Sequence, residues 1–248
     1  MNLFYFILAG SVAQLIDGSL GMGFGVTSAT ILLALGTSAA ATSAAVHVAK
    51  IGTGLASGIA HWRRDNVDKE VLVKIAIPGG IGAFAGATFL SSIDLTSGTY
   101  FISTILFLLG LVLLYRNIFR HQVQVNLTAV SDPKYLKFIG LTGGFVDASG
   151  GGGWGPVVTP TLLATTRKVI GTVSAAEFIV AVCASLGFLA SLWRLDINWE
   201  AVLGLSIGGI VMAPVAARLV GWLPRRTLGI AVAIIIIILN GLRLMGLI

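Results

Sequence analysis

The sequence predicts an all-α polytopic membrane protein built from two inverted-topology repeats of about five segments each, with short re-entrant or broken helices at Gly-rich tips. Three observations carry this prediction. Apolar runs recur along all 248 residues, basic residues fall in alternate connections between those runs, and the chain resembles itself at an offset of 130 residues.

Hydrophobic residues make up 56% of the chain and charged residues 10%, against roughly 25% charged in a soluble domain. The runs are long enough for helices that cross lipid, and the two-residue alternation of a membrane β-barrel is absent. The 32 glycines sit inside the runs, where they suit close helix packing or broken helices. The net charge of +6 is scattered in short clusters, so the expected surroundings are a lipid bilayer and not nucleic acid. Cys183 stands alone, which excludes a disulfide framework. Met1 to Leu8 carries no basic residue ahead of its apolar stretch and reads as a first membrane segment, not a cleaved signal.

In chain order the segments are 2–17, 22–36, 38–61, 70–91, 97–116, 134–148, 154–166, 169–192, 198–220 and 226–246. The polar stretch 117–133 divides a first repeat, 1–116, from a second, 134–248, within one integral membrane domain. Arg63, Arg64, Lys69 and Lys74 follow the third segment; Arg116, Arg120, Lys134 and Lys137 follow the fifth. Arg167 and Lys168 follow the seventh, and Arg218, Arg225 and Arg226 the ninth. Only Arg194 and Arg243 fall on the opposite side. The positive-inside rule then makes 117–133 a cytoplasmic linker, with both termini extracytoplasmic. Trp62, Trp193, Trp199 and Trp222 at segment ends read as an interfacial belt.

At the offset of 130, Asp17-Gly18-Ser19-Leu20-Gly21-Met22-Gly23-Phe24-Gly25 falls on Asp147-Ala148-Ser149-Gly150-Gly151-Gly152-Gly153-Trp154-Gly155. Leu32-Leu33-Ala34 falls on Leu162-Leu163-Ala164. Five segments is an odd number, so the second half enters the membrane upside down relative to the first. Inverted repeats of this kind are typical of secondary transporters, which hold substrate between the halves near the midplane.

The first two segments of each half are short: 2–17 would span about 24 Å and 22–36 about 22 Å, against a core of about 30 Å. They are expected to form two re-entrant hairpins whose tips approach from opposite faces. The second member of each pair starts near Gly25 and near Gly155-Pro156, exposing unpaired N–H groups and a positive dipole end. Glycines let a ligand approach that backbone. Gly21, Gly23, Gly25 and Thr27 in one tip, with Gly151, Gly152, Gly153, Trp154 and Gly155 in the other, are therefore the expected anion-binding residues. Small-residue packing is the plainer explanation of the same glycines.

These residues carry a resemblance. Asp147 to Pro156, followed by Pro160, resembles the Asp/Gly-rich signature of the TauE/SafE sulfite exporter family, also called toluene-sulfonate uptake permeases, and the resemblance covers nearly the whole chain. It implies transport of small sulfur-containing anions such as sulfite or organosulfonates. Met22 and Phe24 interrupt the glycines of the first tip, so the two halves need not contact ligand equally.

Asp17, His47, Lys50, Asp147 and Glu177 are expected within the bilayer, where ionisable groups are costly. His47 and Lys50 share a helical face and are read as the cationic complement of the substrate, Glu177 as a proton carrier. The plainer alternative is an ion pair of Glu177 with Lys50 or His47 that joins the halves. Asp17 and Asp147 precede the tips, where they serve either as caps of tip N–H groups or in proton or cation coupling. Thr27, Ser28, Thr159 and Thr161 offer hydroxyls that also suit their own helix backbone.

The function expected is a proton-coupled secondary transporter of a small anion, with an anion channel of the same architecture as the alternative. No cofactor or metal is expected, and no enzyme: His61 and His121 lie at or beyond segment ends, Cys183 has no evident partner, and no HExxH or Walker motif occurs.

Overall fold

The computed structural model describes residues 3–20, 23–119, 132–162, 168–191, 198–219 and 225–248. Ten helices account for nearly all of them. The first half contributes α1 (Leu3–Leu20), α2 (Phe24–Ala34), α3 (Ala39–Arg63), α4 (Lys69–Ser92) and α5 (Leu95–Phe119). The second contributes α6 (Pro133–Gly150), α7 (Trp154–Leu162), α8 (Val169–Ala190), α9 (Trp199–Leu219) and α10 (Arg225–Leu244).

Local chemistry sets several of the boundaries. The Ser38 hydroxyl accepts from the Ala41 N–H at 3.4 Å to start α3, and Asp68 accepts from Val71 at 3.1 Å to start α4. At α6, Asp132 caps the Lys134 N–H at 2.8 Å and Pro133 takes the first turn. Gly151 ends α6 in the left-handed region, at φ 72°, where a side chain would be strained.

Among the described residues, α4, α5, α8 and α10 are long and apolar enough to cross a membrane. Their outer faces carry unpaired apolar side chains, such as Ile77 and Ile81 on α4 and Leu108 and Val112 on α5. Such faces suit lipid, which solvates them without cost. By contrast α2 and α7 have 11 and 9 residues, or about 16 and 14 Å at the helical rise.

The packing pairs follow the same offset as the sequence. Helix α1 lies along α9 and α4 along α6, while α3 packs on α8 and α5 on α10. One backbone contact recurs at the first two interfaces. A methyl group on Gly10 would strike the Leu205 backbone and one on Gly140 the Ile75 backbone, and the two pairs are 130 residues apart. Glycine is what lets these backbones meet. Each short helix also reaches the last helix of the other half, α2 touching α10 and α7 touching α5.

Several boundaries differ from the sequence-based segments. Helices α1 and α6 run on through 20 and 150, past the expected ends at 17 and 148, and each has 18 residues, about 27 Å. A polar residue closes an apolar window, but Asp17 and Asp147 turn inward to protein partners, so the backbone continues past them. The shortness belongs to α2 and α7. Helix α5 extends to Phe119 rather than 116, and most of the expected linker, 120–131, lies outside the described residues.

Candidate functional site

At the second tip, α6 ends, Gly151 and Gly152 turn the chain, and α7 begins at Trp154. The Asp147 side chain folds back along this turn. Its Oδ1 accepts from the Gly153 N–H at 2.6 Å and the Trp154 N–H at 2.9 Å. From α3, Lys50 Nζ donates to both Asp147 oxygens at 3.0 Å, and His47 Nε2 lies 3.1 Å from Oδ2. The carboxylate is wholly buried and surrounded by donors. His47 is oriented from behind: its Nδ1 is 2.8 Å from the Ser43 carbonyl, which can only accept, so Nδ1 donates. Lys50 also pairs with Glu177 Oε1 on α8 at 2.8 Å.

The first tip repeats this backbone geometry. Asp17 Oδ1 accepts from the Phe24 N–H at 3.1 Å, and residue 24 is the counterpart of 154. The Thr27 N–H donates to the Gly23 carbonyl at 3.0 Å, as the Val157 N–H does to Gly153 at 2.9 Å. The tips also touch. A β-carbon on Gly25 would sit 2.6 Å from the Gly152 Cα, so two glycines are required where the two turns meet.

Beside this junction lies a cavity of about 320 Å³. It runs from the tips toward the end of α3, where His61 forms part of its wall, and the start of α8, where Ile170 does. Three carboxyl groups and one ammonium face it: Asp17, Asp147 and Glu177 with Lys50.

The family model for the sulfite exporter TauE/SafE matches residues 6–243. The chain belongs to the TauE/SafE family. It is 45% identical over 244 residues to the Probable membrane transporter protein YtnM of Bacillus subtilis (strain 168), covering 96% of this chain and 81% of that protein. It is 24% identical over 231 residues to the Probable membrane transporter protein YdhB of the same organism, covering 87% and 88%. No solved structure matches it. With its apolar helices and exposed apolar faces, this TauE/SafE protein is a multi-pass membrane protein.

In this TauE/SafE chain Asp17, Gly23, Gly25, Lys50, Asp147, Gly152, Gly153, Trp154, Gly155 and Glu177 all border the cavity. Thr27, His47 and Gly151 stand outside its wall, and Gly21 lies outside the described residues. Trp154 borders it without offering its indole. That ring is fully buried against Gly79, and Nε1 donates to the Val173 carbonyl at 3.1 Å. Lys50 and His47 both engage Asp147, a pairing across about a hundred residues that no local pattern announces. Sequence reasoning also misses Gln14, Ser57 and Ser174 in the wall. The available signal is helical spacing: Gln14 precedes Asp17 by three residues, Ser174 precedes Glu177 by three, and Ser57 follows Lys50 by seven.

One further contact distinguishes the tips. Asn240 Nδ2 on α10 donates to Thr30 Oγ1 on α2 at 3.1 Å, and Arg243 donates to the Leu33 carbonyl at 2.7 Å. The counterparts of Asn240 and Thr30 are Gly110 and Pro160, which cannot form the side-chain bond.

Proposed function

We propose that this membrane transporter is a proton-coupled secondary carrier of small sulfur-containing anions, sulfite or an organosulfonate, across the bacterial cytoplasmic membrane. Substrate is held near the midplane between the two Gly-rich tips, with both termini extracytoplasmic. The observation that carries this reading is the junction of Gly25 on Gly152 beside the cavity, with matched capping at both tips. Matched tips on helices with exchanged packing partners suit two repeats inserted with opposite topology, and α2 and α7 are short enough to be the inner arms of re-entrant hairpins. The family's name supplies the sulfur chemistry.

The charges favour coupling to protons. Three carboxyl groups against Lys50 leave the cavity unfavourable for an anion unless one of them is neutral. Both Asp147 oxygens are already engaged by donors and Glu177 is paired with Lys50, which leaves Asp17 as the group that takes up the proton. Reconstitution into proteoliposomes tests the whole reading. Labelled sulfite or organosulfonate flux should saturate with concentration and respond to a pH gradient. Absence of specific flux for every such anion would sink it.

A further inference from the structure

Lys50 is the obvious ligand for an anion, yet its hydrogen-bonding capacity is filled. Its three protons face three carboxylate oxygens, two on Asp147 and one on Glu177. The Gly153 and Trp154 N–H groups are likewise taken by Asp147. The protein's own carboxylate therefore occupies the charged anion site.

Other donors bordering the cavity are unused. The Gly155 N–H, in the first turn of α7, has no partner among the described residues. Thr159, one turn along the same helix, is 6% exposed, and its hydroxyl also has none. Other buried hydroxyls, those of Thr27 and Ser28 among them, also lack partners, but Thr159 borders the cavity and they do not. Thr161, two residues on, bonds back to the Val157 carbonyl at 2.7 Å, and Thr104, Thr142 and Ser206 bond back to their own helices in the same way. Ser57 on α3 and Ser174 on α8 border the same cavity, are half-buried, and also lack partners among the described residues. Of the three hydroxyls that of Thr159 is the buried one, and a buried hydroxyl normally finds a partner.

Resting on the transport reading above, we propose that the oxyanion group of the substrate is bound by uncharged donors: the Gly155 N–H and the hydroxyls of Thr159, Ser174 and Ser57. The Lys50–Asp147 pair braces the tip and does not contact the anion. Hydrogen bonds to an ionised group are among the strongest a neutral donor makes. A set of them suits a compact oxyanion with several acceptor oxygens.

The test is equilibrium binding of sulfite to the purified full-length protein in micelles. Thr159→Val keeps the side-chain shape and removes the hydroxyl; Ser174→Ala does the same on α8. Each should weaken sulfite binding about tenfold, with an unchanged unfolding midpoint, and Thr159→Ser should bind like the natural protein. If Thr159→Val and Ser174→Ala both bind sulfite as tightly as the natural protein, the uncharged site is wrong while the transport reading stands. If the natural protein binds neither sulfite nor an organosulfonate, both are wrong.

Discussion

The two tips share a backbone design and differ in everything around it. Each places an aspartate seven residues before the residue whose N–H it caps, Asp17 for Phe24 and Asp147 for Trp154. Asp147 then collects Lys50 and His47 from α3. At the offset of 130, the counterparts of His47 and Lys50 on α8 are Glu177 and Val180, so Asp17 receives no cation from the equivalent helix. The support of the short helices differs in the opposite sense. Helix α2 is tied to α10 through Asn240 and Arg243, and α7 lacks the matching side chains. The repeat has kept the capping geometry that the turn requires and changed the charges, leaving a carboxylate braced by two cationic side chains at one tip and one without them at the other.

The largest expected difference between the tips is in stability. Asp147→Ala takes the shared carboxylate from buried Lys50 and His47, leaving Lys50 with Glu177 alone, and removes the cap of two N–H groups, which together should cost about 3 kcal/mol. Asp17→Ala removes one cap and should cost about 1 kcal/mol. Denaturant unfolding of both variants in the same micelles measures this, and equal losses would break the comparison.

The junction comes next. In Gly25→Ala the new carbon is driven to 2.6 Å from the Gly152 Cα, an overpacking worth about 1–3 kcal/mol. Gly52 on α3 has only the end of Ile210 within 4.0 Å, so Gly52→Ala should be neutral or stabilising by up to about 1 kcal/mol. The same unfolding series separates them. Asn240→Leu, which leaves the Thr30 hydroxyl buried and without its donor, should cost about 1 kcal/mol. The smallest effect belongs to the Asp65–Lys168 pair, whose Asp65 side chain is 91% exposed. Asp65→Asn should shift stability by less than about 1 kcal/mol, and less still in high salt.

Much of this comparison is legible in the amino-acid sequence alone. The offset of 130 places Asp17 on Asp147 and the glycines in register, and the apolar runs mark all ten helices because lipid demands long uninterrupted segments. The position of both aspartates ahead of a helix start suggests capping as one of two readings, and the structure shows the caps. The brace has no such signal, because Lys50 and Asp147 are 97 residues apart and only the packing of α3 against the second tip brings them together. Ser57, Ser174 and Gln14 are silent for another reason. An uncharged polar residue within an apolar helix has no signature until its face is known to border a cavity. Trp154 misleads in the other direction: beside the glycines it suggests a ligand contact, while its ring fills the space left by Gly79.

The measurement that bears most directly on the central claim is sulfite flux in proteoliposomes, with and without a pH gradient, for the natural protein and for Asp17→Asn. The natural protein should show saturable flux that the gradient increases. Asp17→Asn should keep saturable flux and lose most of the increase, as follows from the proposal that Asp17 takes up the proton. A natural protein without saturable flux, or an Asp17→Asn variant that responds to the gradient in full, would contradict the account.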